Sequence, residues 1–382
     1  MSVLRVQKIR HTASNTDVID IASDGTCTAN ITNRSNRNKI INGGMIVSQR
    51  QTSTTNSNAF VVDRFQAQVT QMDELAQTLE QSSDAPDGFG KSIKITTTTP
   101  ESSIASNEQF RIQTKLEGQD FQDLAYGTSA AKTITISFYV KASITGTFGF
   151  TVYRAESTAR VITAPYTISS ADTWERKTIT ISGDTSGAAI TNDNAERFRL
   201  MWGLAAGANF NTASASWSDY SSANLLGGHV TNDLVTTNNA TWQLAGVQLE
   251  VSDHVTDFEH RSVGQELQLC KRYYQKWCDG NSKYVGNGLV SGATEVHASI
   301  YLPVTMRGTV AIDHTTGNDY WRIAGSMGGD KYIDGAWIID NQQPNVFNIY
   351  ATPDTNLSSY VGDAGYVQGK NSASYMAFSS EL

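Results

Sequence analysis

Apolar and polar residues alternate in short runs from residue 43 to residue 259 of this chain. In the segment ITISFYV, Ile134, Ile136 and Phe138 occupy every second position, which is the spacing of side chains on one face of a β-strand. About nine such segments are separated by Gly, Asn, Asp, Ser or Pro residues that favour turns. Because a parallel sheet would need helices between its strands, the pattern predicts an all-β, antiparallel, jelly-roll-like β-sandwich.

The pattern changes abruptly after residue 261. Ser262 and Gln265 have the spacing of a capping box, which predicts the start of a helix. We predict that this helix spans residues 262–279 and that its apolar stripe is buried, either between two β-domains or where three copies meet around an axis. The stripe of this assembly helix consists of Leu267, Cys270, Tyr274 and Trp277.

Four regions follow from these patterns. Residues 1–40 form an N-terminal arm, 41–261 the sandwich, 262–279 the linking helix and 280–382 a smaller C-terminal β-domain. In the arm, Ile19 and Ile21 precede an Asp24-Gly25 turn signal, which predicts a small hairpin. The hairpin has too few apolar residues to fold alone, so it is either ordered by an assembly or a frayed tail. Residues 72–80 could form a short helix.

Composition excludes several functions. Charged residues make up 17% of the chain and the net charge is -8, which argues against nucleic-acid binding because phosphate contacts require Lys and Arg. Residues Cys27, Cys270 and Cys278 are too few and too poorly spaced for a disulfide framework, and we expect free thiols. We expect no metal, no cofactor, no signal peptide and no membrane insertion.

No catalytic motif is present in the sequence. The six histidines are scattered, and there is no nucleophile elbow and no phosphate-binding loop. The candidate binding residues are aromatic. Trp217, Asp219 and Tyr220 lie in the polar segment SASWSDYSS, and Tyr320 and Trp321 offer a similar pair in the C-terminal domain. Rings stack on the apolar faces of sugars while carboxylates accept their hydroxyl groups, although most Trp and Tyr in β-sandwiches are packed in the core.

Several motifs occur in a fixed order. They are INGGMIVSQR (41–50), VDRF (62–65), SFYVKAS (137–143), WERKTITI (174–181), WGLAAGANF (202–210), GVQLEV (246–251), the Thr256-x-Phe258-Glu259-x-Arg261 run, ELQLCKRYYQ (266–275) and MRG (306–308). This ordered set resembles a family of tailed-phage virion proteins, the tail fibres and structural proteins of marine and cyanobacterial phages. The segment Phe110-Arg111-Ile112-Gln113 departs from the family pattern.

The resemblance implies a homotrimeric protein of the virion surface, made in the host cytoplasm. Its arm, residues 1–40, would attach to other virion proteins of the tail or capsid. Its sandwich, of the kind found in carbohydrate-binding modules, would serve host attachment as a receptor-binding protein that recognises host surface polysaccharide without cleaving it. Two alternatives remain open: a capsid-attached decoration or knob protein, and a glycan depolymerase, which would need two convergent acidic side chains.

Overall fold

The computed structural model describes residues 6–10, 17–21, 23, 27–29, 36–325 and 327–382. In the arm, three antiparallel strands form a small sheet in which Ile19 pairs with Ala29 and Ile21 with Cys27. The predicted hairpin is therefore confirmed, while its Asp24-Gly25 turn lies outside the described residues. The strands of the arm are β1 (Lys8–Arg10), β2 (Asp17–Ile21) and β3 (Cys27–Ala29).

Thirteen of the next fifteen strands build two antiparallel sheets that pack face to face, and the other two, β11 and β14, pair with each other; this confirms the predicted β-sandwich. The expected helix at 72–80 is wrong, because Ala76–Ser82 pairs with a neighbouring strand. The strands are β4 (Ser53–Thr54), β5 (Phe60–Val62), β6 (Phe65–Thr70), β7 (Ala76–Ser82), β8 (Ser92–Thr99), β9 (Gln109–Glu117), β10 (Ile134–Ala142), β11 (Gly146–Phe148), β12 (Phe150–Arg154), β13 (Arg160–Thr163), β14 (Tyr166–Ile168), β15 (Glu175–Ile181), β16 (Glu196–Ala206), β17 (Ser218–Asp219) and β18 (Thr241–Glu250).

The six-stranded sheet has the order β15-β10-β18-β8-β7-β4 and the seven-stranded sheet the order β17-β13-β12-β16-β9-β6-β5. Their facing sides form the main core. Phe138 of the first sheet meets Trp202 of the second edge-on, with ring centroids 5.8 Å apart, and both are fully buried. Each buried aromatic or aliphatic side chain of this kind stabilises the fold by about 1.5–3 kcal/mol.

Helices are short in the described part of the chain. The α-helices are α1 (Asp233–Thr236) and α2 (Val263–Lys271), and the 3-10 helices span Gly118–Leu124, Ser222–Asn224 and Ser358–Tyr360. None of them is long and apolar enough to cross a membrane.

The capping box is confirmed, because the Ser262 hydroxyl accepts from the Gln265 backbone and the Gln265 side chain accepts from Ser262. However, α2 ends at Lys271 and the chain continues as a strand from Tyr274 to Asp279. The predicted single stripe is therefore wrong: Leu267 and Cys270 are helical, whereas Tyr274 and Trp277 are not. Aromatic residues favour strands. Pairing of residues 274–279 with Tyr375–Ser379 therefore stabilises this segment as a strand rather than as a continuation of α2.

The strand that follows α2 opens a second antiparallel body with its own core around Trp321, Trp337 and Phe378. It contains a three-stranded sheet, β19-β28-β22, and a seven-stranded sheet, β24-β23-β27-β20-β21-β26-β25. The strands are β19 (Tyr274–Asp279), β20 (Tyr284–Gly292), β21 (Glu295–Tyr301), β22 (Ala311–His314), β23 (Trp321–Gly325), β24 (Lys331–Ile333), β25 (Ile338–Asp340), β26 (Val346–Ala351), β27 (Ala364–Gly369) and β28 (Tyr375–Ser379).

Residues 36–40 belong to the sandwich. The Glu259 carboxylate accepts hydrogen bonds from the backbone of Asn36 and Asn38 at 2.5 and 2.8 Å. Arg261 donates to the carbonyl of Ile40 at 3.0 Å, and Ile40 is fully buried in the main core. The independent part of the arm thus ends before residue 36, because these contacts hold the last residues of the predicted arm to the sandwich.

Two of the sequence motifs meet in space. Val247 of GVQLEV donates its backbone hydrogen bond to the carbonyl of Gly43 in INGGMIVSQR, at 2.9 Å. A Cβ atom on Gly43 would lie 2.0 Å from the Val247 oxygen, so only glycine permits this approach. These motifs therefore form the joint between the segment entering the sandwich and its central strand β18.

Candidate functional site

A polar surface lies on the outer face of the seven-stranded sheet. In β9, Phe110 and Ile112 point into the core, so the residues between them point outward. Gln109, Arg111 and Gln113 are only 3%, 5% and 2% exposed although they face away from the core. Neighbouring side chains therefore cover them on this outer face, which we call the trough. Strand register and direct contacts place eight more residues on this face: Gln66, Gln68, Thr70, Lys115, Tyr153, Glu196, Arg199 and Tyr220.

Hydrogen bonds between neighbouring strands order the floor of the trough. Arg111 donates from Nε to Gln113 at 2.9 Å, from Nη1 to Gln109 at 2.6 Å and from Nη2 to Gln68 at 2.5 Å. Gln113 in turn donates to Gln66 at 2.9 Å. All three acceptors of Arg111 are neutral amide oxygens. The network holds long polar side chains in fixed positions before any ligand arrives.

The trough is locally cationic. Lys115 and Arg199 both contact the Glu196 carboxylate, at 3.4 and 2.6 Å. Burial lowers the pKa of Arg111 to about 10, and repulsion from Arg199 is the next cause. Burial also lowers the pKa of Lys115. Three cationic groups and one carboxylate thus lie together in a chain whose net charge is -8.

Aromatic rings form one wall of the trough. Tyr220 meets Tyr153 edge-on with centroids 5.1 Å apart, and the Arg199 guanidinium lies 5.2 Å from the centre of the Tyr153 ring. The loop after β16 supports this wall, because Phe210 and Tyr153 pack on the same small apolar cluster around Met201. Burial raises the pKa of Tyr153, so its hydroxyl is a neutral donor at physiological pH. Tyr220 remains 36% exposed.

Residues 381–382 lie beside Lys115 on the β6 side of the trough. Lys115 Nζ donates to the main-chain oxygen of Leu382 at 2.7 Å, and Arg64 forms an ion pair with Glu381. Glu381 also accepts from Arg50 at 2.9 Å. The row Tyr153, Arg199 and Lys115 thus has the aromatic wall on one side and residues 381–382 on the other.

The trough has the groups needed for binding but a poor set for hydrolysis. Its Glu196 is held by two cations, and the nearby Glu117 is fully buried under Arg272 and Tyr273. Acid-base cleavage of a glycosidic bond needs two carboxyl groups flanking the bond. Over the described ranges, no group of three His, Cys, Asp or Glu residues is placed to hold a metal ion.

Of the first predicted group, the structure places one residue in the trough. Tyr220 forms part of the aromatic wall. Trp217 is half-buried, packs edge-on against Tyr126 at 5.8 Å and donates its indole N–H to Ser182 at 2.9 Å. Asp219 binds Arg160 at 2.7 Å. The three residues therefore face different partners and do not form one surface, because β17 pairs at the sheet edge and sends alternate side chains to opposite faces.

The structure does not support the second predicted pair, Tyr320 and Trp321, as a binding surface. Trp321 is 1% exposed and packs edge-on against Trp337 in the core of the C-terminal body, with its indole N–H donating to Thr315. Tyr320 is half-buried against the same core. Trp321 and Ile323 occupy alternate positions of β23 and both point into the core. The Trp321 ring is therefore not available to stack on a ligand.

The sequence carries a signal for the trough in the polar residues of two paired strands. Gln109, Arg111 and Gln113 alternate with core residues, as do Gln66 and Gln68 in a strand that pairs with β9. Long polar side chains at every second position of two buried strands mark a structured outer face. Residues 110–113 lie within this region.

Comparison with known proteins gave distant likenesses only. No family model matches the chain and no curated protein matches it. Among solved structures, the enzymatically active domain of tailspike protein 4 of bacteriophage CBA120 is 10% identical, with a TM-score of 0.31, over 56% of this chain and 22% of that one. A putative sugar-binding protein of Bacteroides thetaiotaomicron is 12% identical (TM-score 0.30; 56% of this chain, 100% of that one).

A family 11 carbohydrate-binding module of Clostridium thermocellum, in complex with a mixed-linked tetrasaccharide, is 9% identical (TM-score 0.27; 55% of this chain, 99% of that one). Similarity at this level assigns neither a family nor a ligand.

Proposed function

We propose that the chain binds a glycan in the trough without cleaving it. The observation that supports this most is the preordered row of amide and guanidinium groups beside the Tyr153–Tyr220 wall. Sugar hydroxyls need several fixed donors and acceptors at once, and a ring edge or face supplies apolar contact. Tyr220, which is 36% exposed, would carry the apolar contact, while Arg111 and Gln113 hold the polar side chains of this face in place.

Removal of the exposed ring tests this proposal. Tyr220→Ala should weaken binding to isolated host polysaccharide by about ten-fold, the loss expected for one aromatic contact, without a change in melting temperature. Tyr301→Ala is the matched control, since Tyr301 is 68% exposed on the C-terminal body, far from the trough in the sheet order. Isothermal titration would measure both. Equal affinity of the Tyr220 variant and the native chain would show that the binding site lies elsewhere. Release of reducing ends from the polysaccharide would show that the protein is a depolymerase.

We further propose that the protein is a homotrimeric receptor-binding component of a phage virion, attached through its N-terminal arm. This placement rests on the ordered motifs alone. Mass spectrometry of purified particles, combined with labelling of the exposed C-terminal body in electron micrographs, would distinguish a tail position from a capsid position. Sedimentation equilibrium would measure the number of copies.

A further inference from the structure

We infer that copies of this chain associate through the outer face of the seven-stranded sheet in the C-terminal body. This inference rests on the proposed homotrimer and names the surface that joins its copies. We call this surface the C-terminal face. It is formed by outward-pointing residues of the five neighbouring strands β27, β20, β21, β26 and β25: Tyr284, Asn287, Leu289, His297, Ser299, Ile338, Asn348, Tyr350, Ala364 and Tyr366.

Large apolar side chains of this face are exposed to solvent. In β20, Val290 is fully buried in the core of the C-terminal body, whereas Leu289 is 44% exposed. In β27, Val367 is fully buried and Tyr366 is 47% exposed. Because successive side chains of a strand point to opposite faces of the sheet, Leu289 and Tyr366 belong to the face that turns away from the core.

Strand register aligns these side chains across the sheet. Leu289 lies between Ala364 of β27 and His297 of β21. Tyr350 of β26 is opposite His297, and their rings stack with centroids 5.4 Å apart. Ile338 of the edge strand β25 is opposite Tyr350 and is exposed. The five strands thus present one continuous, largely apolar row.

A second row beside it combines tyrosine rings with small polar groups. Tyr366 is opposite Asn287, whose side-chain oxygen accepts a hydrogen bond from the hydroxyl of the exposed Tyr284 at 2.8 Å. Ser299 is opposite Asn348 and donates to it at 2.9 Å. These polar groups are therefore paired within the face. Surfaces that are rich in Tyr and poor in Lys and Glu are typical of protein–protein interfaces.

Charge favours a second copy of the chain as the partner. With His297 neutral, only Glu295 and Asp340 carry a formal charge in the five strands, and each lies at the end of its strand. Every copy has a net charge of -8, so two copies repel each other unless the surfaces that meet are close to neutral. The C-terminal face meets this condition.

The size of the face also suits a contact between copies. Five strands spaced about 4.8 Å apart and roughly six residues long, at about 3.3 Å per residue, give a flat area of roughly 500 Å². Projecting side chains enlarge the accessible surface beyond this value. Stable interfaces bury about 600–1,000 Å² on each partner. The C-terminal face therefore supplies most of the area that one such contact needs.

The test uses the full chain and two charged variants. Leu289→Lys and Tyr366→Lys each place a charge in the middle of the face, at positions exposed enough to accept lysine in a single copy. We expect the native chain to associate. Each variant should raise the concentration needed for association by about one-hundred-fold or more, because a charge without a partner opposes burial in the contact. Sedimentation equilibrium over a wide range of protein concentrations would measure this change.

Two further variants serve as controls. Val230→Lys is the matched control, because Val230 is an exposed apolar residue of the sandwich, and it should associate like the native chain. Leu289→Met keeps the volume and the apolar character of the side chain and should also associate. Far-ultraviolet circular dichroism should be the same for all variants, which separates loss of association from loss of folding.

The outcomes separate this inference from the proposed homotrimer. A native trimer that both lysine variants dissociate would support both claims. A native trimer that persists in both variants would overturn the inference and leave the homotrimer standing, whereas a native dimer that both variants dissociate would do the reverse. A native chain that stays monomeric at every concentration would overturn both.

Two other results would also overturn the inference. Dissociation of Val230→Lys would show that net charge, rather than the C-terminal face, controls association. Glycan binding by a monomeric native chain that both lysine variants abolish would assign the face to a glycan instead of to a second copy.

Discussion

Arg272 donates two hydrogen bonds, each 2.8 Å long, to the carboxylate of Glu117, 155 residues earlier in the chain. Glu117 ends β9 and is fully buried, and the Tyr273 hydroxyl donates to the same carboxylate. Arg272 follows directly after α2. The pair therefore joins the start of the C-terminal body to the strand that forms the floor of the trough.

Arg272→Met should destabilise the protein by about 3 kcal/mol, because it leaves a buried carboxylate without its cation. Urea unfolding would measure the change. Lys276→Met is the control, since its pair with Asp279 is more exposed and contributes less than about 1 kcal/mol. If both variants lose the same stability, the Arg272–Glu117 pair contributes no more than an exposed ion pair.

Two truncations separate the arm from the sandwich. Deletion of residues 1–35 should leave the melting temperature unchanged, because residues 36–40 keep their contacts with Glu259 and Arg261. Deletion of residues 1–40 should cost roughly 2 kcal/mol or more, since it also removes Ile40 from the core. Calorimetry of the two proteins decides this, and equal melting temperatures would place Ile40 outside the cooperative core.

The described thiols should be unreactive in the native protein. Cys270 and Cys278 are both free and buried. Burial raises the pKa of Cys270 well above its ordinary value and that of Cys278 to about 11, so little thiolate forms at pH 8. In a Cys27→Ser background, iodoacetamide should label neither residue until guanidinium unfolds the chain. Rapid labelling under native conditions would show that the structure around these cysteines opens.

Stability should fall in mild acid because of His229. Its Nδ1 accepts a hydrogen bond from the Gly149 backbone at 3.1 Å, and burial lowers the pKa of His229 to about 4. An unfolded histidine titrates near 6.5, so between these values the unfolded chain binds a proton that the native chain does not. This difference removes up to about 3 kcal/mol as the pH falls from about 6.5 to 4.

His229→Asn keeps an acceptor near Gly149 and does not titrate in this range. Melting temperatures of the native chain and this variant, measured from pH 7 to pH 4.5, should therefore diverge. The native protein should lose more stability than the variant as the pH falls. Parallel curves would mean that His229 is protonated in the folded state or is not buried.

The sequence by itself predicted the elements whose signals are local. The alternation of Ile134, Ile136 and Phe138 predicted a strand, and Ser262 with Gln265 predicted the start of α2. Both depend on neighbours within a few residues, because side-chain direction and capping are decided at that range. The antiparallel sandwich followed from many such strands.

Only the tertiary structure decided where α2 ends and which polar residues form a site. Tyr274 and Trp277 fit a helix by spacing, but pairing with β28 placed them in a strand. Gln68 and Arg111 come together because β6 and β9 are neighbouring strands, whereas Tyr220 follows β17 at the sheet edge and packs against Tyr153 of β12. Contacts between strands distant in sequence set that order, and spacing along the chain does not encode it.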